Sequence, residues 1–389
     1  MFKRKVLIIC YNVLPDRSAQ AQQLTPLIVR LSQLCDVKLI SGSFIGECKF
    51  TSERVLQNAY KLKNTEGFFA RRTPRLYRAL LRVLPFFGKA PDHLGHAVKR
   101  ITLEIAREVL PSFYPDVIVS FGHPMSDHLI GSRLSKKFAI PLITHFSDPW
   151  ANNPYFTKLF PLTDKLCNFR LEKKVTSQAA AIIFTNKFGR DFFLRFRKGS
   201  IKEKCFVIPH SVPQASHSVD NTTVNSSRFV VRHIGSLYGL RGPGALLESL
   251  TVLESTYPET IKTVVLEFVG NLAPSVVREI KHYSGMIEIN IIETVSPEEA
   301  ARLMKDSSLL VSIDANLVPN IFLPSKIFDY LAHNNNILAI SPVGATQDFA
   351  GEVGIPCFAP NETQAIAEEI KSMQKGKILN KRNLENYSV

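Results

Sequence analysis

The strongest constraint on the fold of this chain is a rhythm that occurs twice. In the first series, VLIIC (6–10) precedes a helical pattern with Leu24, Leu27, Ile28 and Leu31 on one face, then VKLIS (37–41). PDVIVS (115–120), a helical LIGSRLSKK segment, IPLITHFSD (140–148), a helix over 162–178, AAIIFT (180–185) and KCFVIPH (204–210) continue it. The polar, aperiodic stretch QASHSVDNTTVNSS (214–227) reads as a linker, after which FVVRHIGS (229–236) opens a second series. That series runs through a helix near 243–256, TVVLEFVG (263–270), a helix near 275–283, IEINIIE (287–293), a helix from Pro297, SLLVSID (308–314), a helix from Pro324 and Ser325, NILAIS (336–341) and a last helix near 362–374. Strands that alternate with helices specify parallel sheets covered on both faces. The expected class is α/β: two tandem Rossmann-like doubly wound domains, 1–212 and 213–389, facing each other across a cleft. The last helix is a candidate to pack back on the N-terminal domain. A chain of 389 residues, 45% of them apolar, is long enough to build two cores.

Local signals add detail. Ser296-Pro297-Glu298-Glu299 is a capping box with proline at the first helical position, and Asn361 is a second candidate N-cap. Residues 71–87, RRTPRLYRALLRVLPFF, depart from the rhythm: Arg71, Arg75, Arg78 and Arg82 recur at helical spacing, opposite Leu76, Leu80, Val83 and Leu84. Such a helix either lies on an anionic membrane surface or packs as a solvated helix on its own domain. A nucleic-acid patch is not expected, because the aromatic residues lie on the apolar side rather than between the arginines.

Charge is unevenly divided. Residues 1–205 carry 34 Lys/Arg against 15 Asp/Glu, whereas residues 206–389 carry 14 against 19, which together return the net +14. The excess points the first half toward a nucleic acid, an anionic membrane surface or an anionic substrate, the alternative being a generally basic surface kept soluble by its charge. Cys10, Cys35, Cys48, Cys167, Cys205 and Cys357 lie far apart, so neither a disulfide framework nor a zinc site is indicated. A cytoplasmic location is expected, at the inner face of the plasma membrane if residues 71–87 dock there. The apolar run of MFKRKVLIIC is too short for a signal peptide, and no run of about 18 apolar residues occurs.

In open α/β sheets, ligands bind beyond the carboxyl ends of the strands. GSLYGLRGPGAL (235–246) leaves one such end with Gly235, Gly239, Gly242 and Gly244, and places Arg241 just before a helix start. Glycine, arginine and a helix N-terminus together suit a phosphate. FLPSKIFDYL (322–331) is a second strand-to-helix junction, whose Lys326 opposes the helix dipole unless an anion binds there. Asp329, one turn on, can accept hydrogen bonds from a ribose diol. In the first domain His123 follows PDVIVS, and Asp148 and Trp150 stand at the end of IPLITHFSDPW. There is no D-x-D triplet, H-E-x-x-H, G-x-S-x-G or Walker A pattern. A transferase that holds a diphosphate through paired aspartates and a metal is thereby disfavoured.

These blocks resemble the GT-B glycosyltransferases of the large family 4 group (group 1 glycosyl transferases), in the branch serving bacterial surface polysaccharides. The resemblance is carried by VLIICYNVLP, PDVIVSFGHPMSDHLIG, IPLITHFSDPW, LEKKVTSQAAAIIFTN, VIPHSV, HIGSLYGLRGP, LEFVG and LPSKIFDYLAHNNNILAISP. It implies a donor site in the second domain formed by Gly235, Ser236, Tyr238, Arg241, Pro324, Ser325, Lys326 and Asp329. Arg241 and Lys326 would face the diphosphate, Ser325 the helix end against the distal phosphate, and Asp329 the ribose, where relatives carry glutamate. His123 would stand near the sugar, with Ser18, Asp148 and Trp150 on the acceptor side. Two departures concern the donor sugar: Ile321 stands where many relatives have a second glutamate, and Ser18-Ala19 where many have Gly-Gly.

The expected activity is transfer of a sugar from a nucleotide diphosphate sugar, a co-substrate rather than a cofactor, to a lipid-linked or saccharide acceptor. Retention is implied by the resemblance alone. No metal is expected, since Arg241, Lys326 and a helix end can neutralise a leaving diphosphate. The rival readings are a GT-B nucleotide-sugar epimerase and a basic peripheral-membrane or nucleic-acid binding protein with a vestigial cleft.

Overall fold

A computed structural model describes residues 3–14, 16, 18–42, 54–62, 91–92, 94–155, 162–197, 199–212, 228–334, 336–376, 384 and 387. The expected helix over 71–87, the linker 214–227 and Cys48 lie outside the described residues. The chain divides into two compact units, 1–209 and 210–389. The division falls three residues before the expected one, because the Val212 N–H donates to the Tyr387 carbonyl at 2.7 Å and so belongs with the second unit.

The first unit holds a seven-stranded sheet made of β1 (Lys5–Ile9), β2 (Asp36–Ser41), β3 (Tyr60–Lys61), β4 (Val117–Gly122), β5 (Leu142–Phe146), β6 (Ala181–Phe184) and β7 (Cys205–Val207). Its order is β3-β2-β1-β4-β5-β6-β7, and the pairs are parallel. The second unit holds β8 (Phe229–Ile234), β9 (Val264–Val269), β10 (Glu288–Ile292), β11 (Leu309–Ile313), β12 (Ile337–Ile340) and β13 (Cys357–Phe358) in the order β10-β9-β8-β11-β12-β13, again parallel. Both orders are doubly wound and each reverses once, between β1 and β4 and between β8 and β11.

Each strand supplies both faces of its sheet because successive side chains alternate. Leu7 and Ile9 enter one apolar cluster of the first unit while Val6 and Ile8 enter the other. Leu309, Val311 and Ile313 likewise face one cluster of the second unit, and Leu310 the opposite one.

The caps follow local chemistry. Ser18 precedes the helix Ala19–Leu34 and accepts the Ala21 N–H, and Ser296 accepts the Glu299 N–H at 3.2 Å at the start of Pro297–Lys305. Asn361 does not cap: the helix Thr363–Gln374 follows Glu362, whose carboxylate instead accepts the Ala359 N–H at 2.6 Å. Through Ile366, Ala367, Ile370 and Met373 this last helix joins the core of its own unit, against Gly244–Thr256. The two-residue strands β3 and β13 and the helices Arg54–Gln57, Val98–Glu108, Lys187–Leu194 and Ala345–Val353 add to the expected elements. No helix among the described residues is long and apolar enough to cross a membrane.

Candidate functional site

The second sheet opens where its order reverses. Pairing between β8 and β11 covers only Val231 with Leu309 and Arg232 with Leu310, whereas β8 stays with β9 as far as Ile234 and Val269. Beyond Arg232 the two central strands part, and buried backbone groups there need other partners. Two side chains supply them. The Tyr330 hydroxyl, on the helix Lys326–His333, accepts the Ile234 N–H at 2.8 Å and donates to the Ile234 carbonyl at 3.0 Å. His233 Nδ1 lies 2.9 Å from the Val311 carbonyl. A carbonyl only accepts, so Nδ1 carries the proton and Nε2 is left as a lone-pair acceptor. Nε2 has no hydrogen-bond partner among the described residues. Burial, reinforced by the charges of Arg241 and Lys326 and opposed by the Val311 bond, pushes the His233 pKa down to about 4, so the ring is neutral at pH 7.

The loop after β8 folds closely over this point. A Cβ on Gly235 would lie 3.4 Å from His233 Nε2 and 3.6 Å from Lys326 Cγ, which brings the three residues together. Gly270, at φ +129°, approaches Gly235 so closely that a Cβ would meet its carbonyl oxygen at 2.6 Å. Ser236 and Tyr238 are exposed, and the Arg241 N–H donates to the Tyr238 carbonyl at 3.1 Å around Gly239, whose φ is +61°. The turn delivers the Arg241 guanidinium to within 3.6 Å of the buried Asp314 carboxylate.

Three expectations change in detail. Lys326 pairs with Asp329 at 3.1 Å, so without a ligand the first-turn lysine is neutralised by the side chain expected to reach a ribose. The helix begins at Lys326 with Ser325 as N-cap, making no side-chain capping bond, and with Pro324 buried ahead of it. At the other junction a Cβ on Gly244 would meet Glu279 Oε1 at 2.8 Å and one on Gly242 would meet Oε2 at 3.5 Å. The Glu279 carboxylate thus lies beside the start of the Gly244–Thr256 helix.

In the first unit the reversal between β1 and β4 gathers a different set. His123 follows β4 and is exposed, and its carbonyl lies 3.5 Å from Asn12 Nδ2 in the loop after β1. The buried Asp127 accepts the Tyr11 N–H at 2.7 Å, joining that loop to the helix Ser126–Phe138. Burial, with the Asp92 charge adding to it and the Tyr11 bond opposing it, raises the Asp127 pKa. His128 Nδ1 bonds Ser120 Oγ at 2.8 Å, and burial lowers its pKa to about 3, with His145 and His123 adding to the effect. Burial alone drives His145 down, to about 4.

Ser18 is half-buried at its cap and Asp148 is exposed. Trp150 is buried in the core of the first unit, with its indole N–H on Asn168 at 2.9 Å and its ring 6.1 Å from that of His128. Glu172, four residues beyond Asn168 on the helix Leu162–Gln178, accepts the Ala151 N–H at 2.7 Å and pairs with the buried Arg197. The turn that carries Asp148 is thus held from one helix.

Asp314, His233, Tyr330, Glu279, Asp127, His128 and His145 were not singled out from sequence. Only Asp314 left a signal, a carboxylate closing the apolar run SLLVSID.

No family model and no curated protein sequence matches the chain. Solved structures do match. Anabaena HepE in complex with UDP and glucose is similar at 14% identity and TM-score 0.60, over 96% of this chain and 90% of that chain. The E. coli trehalose-6-phosphate synthase bound with UDP-2-fluoro glucose is similar at 10% identity and TM-score 0.60, over 98% and 92%. The fold is GT-B. A GT-B likeness at this identity speaks for architecture alone. The N-terminal domain of a Candida albicans trehalose-6-phosphate phosphatase shares it at 14% identity and TM-score 0.61, over 100% of this chain and 95% of that one. Reaction chemistry resides in the residues at the strand ends.

Proposed function

We propose that the protein is a glycosyltransferase that takes a sugar from a nucleotide diphosphate sugar. The observation that carries this reading is the convergence of Arg241, Lys326, Gly235 and the neutral His233 where the central strands of the second sheet part. Two cations and close-approaching glycine backbone suit a diphosphate whose charge grows as the sugar leaves. The Lys326–Asp329 pair is partly exposed, and such pairs contribute only about 0.2–1 kcal/mol. A diphosphate can therefore draw the lysine away and free Asp329 for the ribose. Cations at these positions make a metal unnecessary for neutralising the leaving group. The GT-B neighbours bind UDP and UDP-glucose, which supports a nucleotide sugar as co-substrate.

The finer assignment is retaining transfer in the manner of the family 4 group, to a lipid-linked or saccharide acceptor in cell-surface polysaccharide synthesis at the inner face of the membrane. His123 stands near the transferred sugar, and Ser18 and Asp148 on the acceptor side. The test is a thermal-shift screen with nucleotide diphosphates, since a ligand at 100 times its Kd stabilises by about 2.7 kcal/mol. Donor hydrolysis and transfer are then measured in Arg241→Ala and Asp329→Ala. Loss of both activities in folded variants is expected, and near-normal rates refute the assignment. Release of an epimer without acceptor would identify the epimerase instead.

A further inference from the structure

Asp314 directly follows β11, and its side chain is 0% exposed. A buried carboxylate is tolerated only when donors meet its lone pairs. Donors from three loops do so here. The Ala315 N–H bonds Oδ1 at 2.6 Å, Asn320 Nδ2 bonds Oδ2 at 2.6 Å, and the Thr346 hydroxyl reaches Oδ2 from the start of the helix Ala345–Val353. Arg241 arrives from the loop after β8, its guanidinium 3.6 Å away and 19% exposed. Asn320 is itself pinned: its N–H donates to the Val343 carbonyl at 2.8 Å, its carbonyl accepts the Ala345 N–H at 2.8 Å, and its amide reaches Ser341 at 3.1 Å. A Cβ on Gly344 would fall 2.1 Å from the Asn320 carbonyl oxygen, so these loops are packed backbone to backbone.

The carboxylate is thus a fixed point and the arginine the longer, more exposed partner. The loops also meet directly, through the Asn316 N–H on the Leu240 carbonyl at 2.9 Å. We propose that Asp314 is a positioning residue that holds the Arg241 guanidinium oriented for the diphosphate of the donor. The inference rests on the diphosphate role given to Arg241 above. A guanidinium held beforehand loses less side-chain entropy when the ligand arrives, which is the gain expected from preorganisation. Burial raises the Asp314 pKa while Arg241 and the three donors lower it, consistent with a carboxylate that depends on this arrangement.

The test is a double-mutant cycle on nucleotide affinity, by calorimetry with UDP, GDP, ADP and TDP, in wild type, Arg241→Ala, Asp314→Asn and the double variant. If Asp314 acts through Arg241, each single variant weakens binding of the preferred nucleotide by about tenfold or more, and the double variant is no weaker than Arg241→Ala. A purely structural Asp314 would lower the melting temperature but leave the two losses multiplicative. Should Asp314→Asn fail to fold, Thr346→Val serves, because it removes one anchor and keeps the charge: a loss of affinity that vanishes in the Arg241→Ala background is expected. Unchanged affinity in Asp314→Asn, or multiplicative losses in either cycle, overturns the positioning role and leaves the donor site standing. Absence of nucleotide binding by wild type, or full binding by Arg241→Ala, overturns the donor assignment and this inference with it.

Discussion

Tyr330→Phe tests how the second sheet holds itself open. The substitution removes one hydroxyl from a fully buried ring and nothing else, so it creates almost no cavity. What it removes is the partner of both the Ile234 N–H and the Ile234 carbonyl, which the parted strands cannot replace. A buried polar group left unsatisfied costs about 1–3 kcal/mol, so two such groups, partly relieved by relaxation, predict a loss of about 2–4 kcal/mol. The only tryptophan, Trp150, lies in the first unit, so its fluorescence does not report on this site. Amide hydrogen exchange does. Exchange across residues 229–235 should accelerate by about 30- to 1,000-fold, the conversion of that energy at about 1.4 kcal/mol per factor of ten, while peptides of the first unit stay unchanged. Nucleotide affinity should fall as well, since Tyr330 fixes the lysine-bearing helix to the Gly235 loop. Unaltered exchange at 229–235 together with an unaltered melting temperature would refute the idea that this hydroxyl replaces the missing ladder.

Gly270→Ala should destabilise the second unit by about 2 kcal/mol or more and weaken nucleotide binding, because φ +129° strains any side chain and the new methyl meets the Gly235 carbonyl at 2.6 Å; thermal melts and calorimetry check this. Acid should destabilise the first unit through His128 and His145. Their folded pKa values of about 3 and 4 lie below the unfolded 6.5, so their stability is complete above about pH 6.5 and is lost as pH falls toward 4, by about 1.4 kcal/mol per histidine per pH unit. Asp127, whose pKa is raised, has the opposite sign, so the urea midpoint followed by Trp150 fluorescence should drop more steeply with acid in Asp127→Asn than in wild type. Glu172→Gln should cost about 3 kcal/mol, because it leaves Arg197 buried without its counter-charge, and should shift Trp150 emission through the loosened 150–151 turn.

Much of this protein was legible before folding was considered. Eleven of the thirteen strands among the described residues lie within short, largely apolar runs that the sequence displays, and the other two, β3 and β13, are two-residue edges too short to show one. Gly235, Arg241, Lys326 and Asp329 stood out because glycine clusters and first-turn charges at strand ends are unusual in a packed core. Trp150 stood near an aspartate at a strand end, and its burial against His128 and Asn168 was not legible there, since contacts made across the fold leave no mark on the local sequence. The same limit hid Glu279, which comes from a different helix to lie beside Gly242 and Gly244.

The sequence by itself determined the class of the chain: two α/β series, each committed to a parallel sheet by short apolar runs alternating with segments of period 3.6. It marked two segments that could face a ligand, GSLYGLRGPGAL and FLPSKIFDYL, because each sets a cation where a strand gives way to a helix. Only the tertiary structure decided which of these groups meet. Arg241 finds Asp314 across 73 positions of chain, and Tyr330 reaches Ile234 across 96, because the order β10-β9-β8-β11-β12-β13 brings β8 beside β11 and then parts them. Strand order is set by long-range packing of two sheet faces, and local propensity carries no information about it.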